Sequence, residues 1–293
     1  MKNSRRNALK KIAGNAAFLT AAGSVFNRLN ASDKILDDKT RSSLSHSVCK
    51  WCYNSIPLED LCKASEQLGL SSIELLGPND WETLKKYGLT CAMGNGAEIS
   101  LTEGWNHTEH HDQLIKNYTE IIPLAAKAGI KNVICFSGNR KGMDDETGMI
   151  NSAKGLRKVM SLAEKNGVTL VMELLNSKVN HRDYQCDHTA WGSALCEMVG
   201  SENFKLLYDI YHMQIMEGDV IATIKKFHPY IAHYHTGGVP GRNEIDESQE
   251  LYYPAIMKAI AETGFKGFVA QEFIPKREDK LASLKQGIEI CNI

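Results

Sequence analysis

Apolar residues fall along this chain in two rhythms. Short apolar runs recur as SLSHSVC (43–49), SSIELL (71–76), LTCAMGN (89–95), NVICFS (132–137), VTLVMEL (168–174), FKLLYDI (204–210), YIAHYHT (230–236) and GFVAQEF (267–273). Their length and composition predict eight buried strands. Between them lie stretches whose apolar positions repeat at helical spacing. PLEDLCKASEQLG (57–69) opens on a proline suited to a first helical turn and closes on a glycine suited to a cap. HDQLIKNYTEIIPLAAKAG (111–129), INSAKGLRKVMSLAEKNG (150–167) and LYYPAIMKAIAETG (251–264) also end in glycine.

Apolar strands alternating with amphipathic helices imply a parallel sheet covered by helices. Eight such units within 43–293 predict an α/β fold, a single (β/α)8 TIM barrel. A doubly wound open sheet would normally carry a glycine-rich phosphate loop after its first strand, and SVCKWCYN (47–54) is not one. No linker divides the barrel segment.

The first residues follow neither rhythm. Lys2, Arg5, Arg6, Lys10 and Lys11 form a basic head, followed by a weakly apolar, Ala- and Gly-rich run from Ile12 to Phe26. That is the layout of an export signal, and SRRNALK (4–10) resembles the twin-arginine motif, with Ala8 in place of the usual bulky apolar residue. Residues 1–31 are therefore expected to be an export segment directing the chain to the periplasm, with cleavage near Ala31. The run is too short and glycine-rich for a stable membrane span. Its retention as an anchor, or a cytoplasmic chain with an amphipathic first helix, is the alternative.

Charge narrows the partners. With 34 basic and 35 acidic side chains the net charge is −1, which lacks the basic surplus of a nucleic-acid-binding protein. A small-molecule partner is expected, and a homo-oligomer is compatible with the sequence. Eight cysteines are scattered, and the lone CKWC (49–52) has no second CxxC to complete a zinc site, so buried or incidental thiols are expected.

The chemistry is legible where polar residues interrupt apolar strands. Glu173 ends VMELL, Asp209 falls in LLYDIYH, His235 in AHYHT and Glu272 in VAQEF. An unpaired charge is costly to bury, and here one polar group stands at the carboxyl end of each of four successive strands. In a closed barrel those ends are neighbours and form the active-site face. Three carboxylates and one imidazole suit one divalent ion, Mn²⁺ or Mg²⁺ by their oxygen-rich set, with Co²⁺ or Zn²⁺ admitted by the imidazole.

From about residue 43 to its end the chain resembles the hydroxypyruvate isomerase family within the xylose-isomerase-like TIM barrels. YDIYHMQIMEGD (208–219) carries most of the likeness, with MELLNSKVNHRDY, AHYHTGGVPGRNEID and AQEF. The resemblance implies one divalent metal on Glu173, Asp209, His235 and Glu272, with Glu173 and Glu272 as the acid/base pair. It implies an aldose–ketose isomerase acting through an enediolate on a small hydroxy-keto acid or sugar. Related sugar epimerases have His at the third ligand position, where many hydroxypyruvate isomerases have Gln. A ketose 3-epimerase acting on a larger polyol, or a sugar-acid-binding barrel without turnover, are the other readings. The trinuclear zinc nucleases of the superfamily need more histidine ligands.

Further residues are expected near the barrel mouth. By the same resemblance His212 hydrogen-bonds a substrate oxygen. Arg242 can bind a substrate carboxylate or hydroxyl. Glu74, which interrupts the second strand, is expected to orient substrate or a neighbouring side chain. Lys178, His181 and Arg182 form a basic loop suited to acidic groups or to solvent. Trp105 and the histidines 107, 110 and 111 are expected to cover the site or to start a polar helix.

If residues 1–31 act as a twin-arginine signal, changing both Arg5 and Arg6 to Lys leaves the protein in the cytoplasm with its fold unaltered. Cell fractionation checks this, and an unchanged location removes the twin-arginine interpretation.

Overall fold

Strands that are apolar on both faces need cover on both, and this chain supplies it by interleaving helices. The computed structural model describes residues 44–293, and the expected export segment at 1–31 lies outside the described residues. The order is β1 (Ser45–Cys49), α1 (Leu58–Gln67), β2 (Ser72–Glu74), α2 (Pro78–Lys86), α3 (His111–Ala128), β3 (Asn132–Cys135), α4 (Asp145–Asn166) and β4 (Thr169–Glu173). It continues with α5 (Thr189–Val199), β5 (Phe204–Asp209), α6 (Ile210–Met216), α7 (Val220–Phe227), β6 (Ile231–Thr236), α8 (Tyr253–Glu262), β7 (Phe268–Gln271) and α9 (Lys280–Cys291).

Among the described residues seven strands form one parallel sheet in the order β2-β1-β7-β6-β5-β4-β3. The eighth predicted strand, 89–95, is not a continuous strand. It lies between the two edge strands and meets them through isolated parallel bridges, Ser72 to Thr90 and Gly94 to Val133. Competition from side chains explains the interruption. The Ala92 N–H donates to the Ser72 hydroxyl (2.8 Å), and the Ala92 carbonyl accepts from the Asn132 side-chain amide (3.1 Å). Backbone bonds resume on either side, with Thr90 N–H donating to Ser71 and Gly94 N–H to Asn132. The result is a TIM-barrel-like fold joined at one seam by isolated backbone bridges and side chains.

Local signals place the helices. α3 and α4 end at Gly129 and Gly167, whose φ values of +83° and +61° are left-handed and are tolerated by glycine at little cost. α4 starts five residues before the apolar pattern that announces it, because Asp144 caps its first turn by accepting from Thr147 N–H at 2.8 Å. The core is continuous from Val48 and Ile73 through Leu170, Leu206 and Tyr234 to Val269, all fully buried. All eight cysteines are buried and unpaired, Cys49 and Cys52 included. No helix among the described residues is long and apolar enough to cross a membrane.

One core position ties stability to pH. His46 of β1 is 7% exposed, and burial pushes its pKa down to about 4, against a smaller upward pull from the Val269 backbone. A folded-state pKa below the unfolded value near 6.5 means the fold favours neutral imidazole. The stabilisation is complete above pH 6.5 and is lost as pH falls toward 4, by about 3 kcal/mol from the shift. Thermal melts of His46→Gln against wild type across that window are expected to show a smaller acid-side drop in the variant.

Candidate active site

The four strand-end groups arrive together because their strands are neighbours. Glu173 closes β4, Asp209 closes β5, His235 lies in β6, and Glu272 follows β7 directly. One ligand atom from each lies within 4.8 Å of all the others. All four are at most 4% exposed. His235 Nδ1 is 2.8 Å from Glu272 Oε2 and 3.4 Å from Glu173 Oε1. Arg242 Nη2 lies 2.5 Å from Glu272 Oε2 and 3.3 Å from Asp209 Oδ2. The Trp51 indole N–H donates to Glu272 Oε1 at 2.8 Å.

Three carboxylates buried together repel one another, and the structure settles the conflict unequally. Burial and the charge of Glu272 push the Glu173 carboxyl up. Burial takes Asp209 to about 8 despite the pull of Arg242. Burial would raise Glu272 as well, but Arg242 and His235 together hold it well below the usual carboxylate range. Glu272 accepts from Trp51 and Arg242 and lies 2.8 Å from His235 Nδ1, whereas Glu173 Oε1 is buried without a hydrogen-bond partner. A buried acceptor without a donor, in an oxygen-rich set with one imidazole, fits a divalent ion of intermediate hardness. Glu173, Asp209, His235 and Glu272 are the residues that would hold it.

Asp209 also does local structural work. Its Oδ1 accepts from the His212 N–H at 3.0 Å, capping α6, so His212 sits at a fixed offset from it. The His212 ring is fully buried. Its Nδ1 accepts from the Asn176 backbone N–H at 3.1 Å, which leaves the hydrogen on Nε2. Nε2 has no hydrogen-bond partner in the protein and stands 3.8 Å from Asp209 Oδ2. Burial, reinforced by Arg242, pushes the His212 pKa well below its ordinary value, so the ring is a neutral donor.

Arg242 reaches the site from a left-handed backbone position, φ +59°. Its guanidinium lies 5.1 Å from the Trp51 ring centroid and 5.5 Å from that of Tyr211. A cavity of about 360 Å³ opens beside these groups. Its charged wall includes Glu173, Glu272, Arg242 and Glu98, and Leu75, Leu101, Ile134, Phe136 and Leu175 supply apolar surface.

Other predicted residues fall elsewhere. Glu74 is fully buried and does not line the cavity; its Oε1 lies 2.9 Å from His235 Nε2 and 2.7 Å from His233 Nε2. Burial alone would raise its carboxyl, but the two imidazoles outweigh burial and hold it at about 2. His181 does line the cavity. Lys178 instead donates to the carbonyls of Ile215 and Met216 at the end of α6. Trp105 is core, and His111 Nε2 pairs with its carbonyl at 2.9 Å, so neither covers the site. Among the described residues the histidines 107, 110 and 111 join no metal-binding group.

Sequence reasoning missed Trp51, Asn176 and His233. His233 had a signal: it stands two residues before His235, on the same strand face. Trp51, just past β1, and Asn176, just past β4, had only their places beyond strand ends.

A family model described as xylose isomerase-like TIM barrel matches residues 64–292. The chain is 30% identical over 123 residues to a human protein assigned as a hydroxypyruvate isomerase, covering 42% of this chain and 44% of that one. It thus spans less than half the length of the first curated relatives it matches. A longer match, 24% identical over 250 residues, covers 81% of this chain and 95% of the 2-oxo-tetronate isomerase of Pectobacterium atrosepticum. Among solved structures, an AP endonuclease of family 2 from Brucella melitensis shares the fold with a TM-score of 0.74 at 22% identity, over 84% of this chain and 98% of that one.

If the four strand-end groups hold an ion, wild type purified with metal carries one divalent ion per chain and Asp209→Ala loses most of it. Elemental analysis checks this. Losing the α6 cap also costs about 1 kcal/mol of stability, so metal content is read on the folded fraction. Equal loading of both proteins removes Asp209 from the site.

Proposed function

Because the chain belongs to the xylose isomerase-like TIM barrel family, we propose that it is a divalent-metal-dependent isomerase. It moves a carbonyl between neighbouring carbons of a small hydroxy-keto acid or sugar, in the manner of the hydroxypyruvate and 2-oxo-tetronate isomerases it resembles. The observation that carries this is the inequality between two buried glutamates beside one cavity. Glu173 Oε1 has no hydrogen-bond partner, and Glu272 is held by Trp51, Arg242 and the His235 ring.

Shifting a carbonyl requires taking a proton from one carbon and delivering one to its neighbour. Glu173, raised by burial and unpartnered at Oε1, is the group fitted to take the first proton. The same carboxyl returns that proton to the neighbouring carbon, while Glu272, kept ionised by Arg242 and His235, takes the hydroxyl proton and passes it to the former carbonyl oxygen. The His212 Nε2–H is a fixed donor for a substrate oxygen on which charge develops, supported from behind by Asn176. Arg242, stacked between Trp51 and Tyr211, is placed to orient a substrate carboxylate or hydroxyl. When bound, a divalent ion polarises the reacting oxygens and offsets the charge of the three carboxylates.

A ketose 3-epimerase acting on a larger polyol is the second reading. The cavity of about 360 Å³ favours it, being roomier than a three-carbon acid requires. An exported location, from residues 1–31, remains part of the proposal.

Replacing either Glu173 or Glu272 with Gln is expected to cut turnover roughly 10²–10⁴-fold at saturating metal, the usual share of a positioned acid or base. Assays over a panel of keto acids and ketoses in deuterated water, with added Mn²⁺, supply the measurement. Solvent deuterium at the reacting carbon supports proton transfer, and its position separates isomerase from epimerase. Wild-type turnover in both variants reduces the glutamates to ligands and defeats the mechanism. Binding without turnover of any compound leaves a binding barrel.

A further inference from the structure

Glu74 ends β2, three places from β6 in the sheet order, yet it hydrogen-bonds two residues of β6. The contact therefore crosses the barrel interior. Glu74, His233 and His235 are each 0% exposed. Placing a carboxylate there carries a large desolvation cost, and hydrogen bonds from both imidazoles offset it.

The geometry also selects a nitrogen. Glu74 Oε1 is 2.9 Å from His235 Nε2, and an ionised carboxylate has no hydrogen to give. The hydrogen in this bond therefore sits on Nε2, which leaves Nδ1 for another partner. Nδ1 is the atom that faces Glu272 at 2.8 Å and Glu173 at 3.4 Å. His233 Nε2 meets the same Glu74 oxygen at 2.7 Å and keeps it from swinging away.

We propose that Glu74 is a positioning residue: braced by His233, it fixes the ring orientation and tautomer of His235 so that Nδ1 faces the divalent-ion site of Glu173, Asp209 and Glu272. The proposal rests on the metal-centre reading above. Glu74, His233 and His235 also form a three-residue group able to hold an ion themselves. That group is fully buried and does not line the cavity. Metal titration separates a second ion there from a positioning role.

The test compares wild type with Glu74→Leu and Glu74→Gln. Metal-free protein is titrated with Mn²⁺ or Zn²⁺ against a chelating indicator, and the ¹⁵N shifts of labelled histidine are recorded in the metal-free state. Glu74→Leu is expected to weaken metal binding about 10–100-fold, the usual effect of removing a partner behind a ligand. Glu74→Gln restores most of the affinity, because its amide oxygen still accepts from Nε2–H. The wild-type spectrum is expected to show His235 protonated at Nε2, a reading that survives even if Glu74→Leu fails to fold. Unchanged affinity in folded Glu74→Leu, or a His235 bare at Nε2 in wild type, overturns the proposal. A second bound ion lost with Glu74 also overturns it, by making Glu74 a ligand. A wild type that binds no metal sinks the metal-centre reading itself and takes this inference with it.

Discussion

The cost of burying carboxylates governs this molecule. Glu74, Glu173, Asp209 and Glu272 are all within a few per cent of complete burial, in a barrel whose remaining interior is mostly apolar. Charge in such a place persists only with compensation, and the structure provides it in tiers. His233 and His235 serve Glu74, while Arg242 and His235 serve Glu272. Glu173 is served least, by a 3.4 Å approach of His235. That shortfall is what makes the cluster read as a reactive centre rather than a structural ion-pair network.

His235 is the shared member of these tiers. One nitrogen faces the carboxylate beneath it and the other faces the carboxylates at the mouth, so the two layers act through a single ring. Its neighbours in space come from β2, β4 and the end of β7, which no single hairpin or helix could assemble. The parallel barrel assembles them because every strand runs the same way, bringing all carboxyl ends to one rim.

Much of this was legible in the order of residues. Glu173, Asp209, His235 and Glu272 announced themselves by breaking apolar runs, and strand adjacency then implied convergence. The helices were legible from spacing and from glycines such as Gly129 and Gly167. Other features depend on contacts between distant segments. Glu74 lies at a strand end like the others, but its inward depth is set by the two histidines across the barrel. Trp51 gave no sign of reaching Glu272, some two hundred residues away in sequence. The run 89–95 has a strand's composition, and only the hydroxyl of Ser72 and the amide of Asn132 reveal that its ladder is broken.

That broken ladder divides labour around the rim. The segment stitched by Ser72 and Asn132 leads directly into Asn95, Glu98 and Leu101, which line the cavity. The charged groups instead stand at the ends of β4 to β7, which pair along continuous parallel strands with one register shift at Leu206/Leu207. A barrel arranged in this way can exchange residues along that segment and admit a molecule of different bulk or polarity. The four polar groups at the ends of β4 to β7 lie outside that segment, so the cavity wall can vary without moving them.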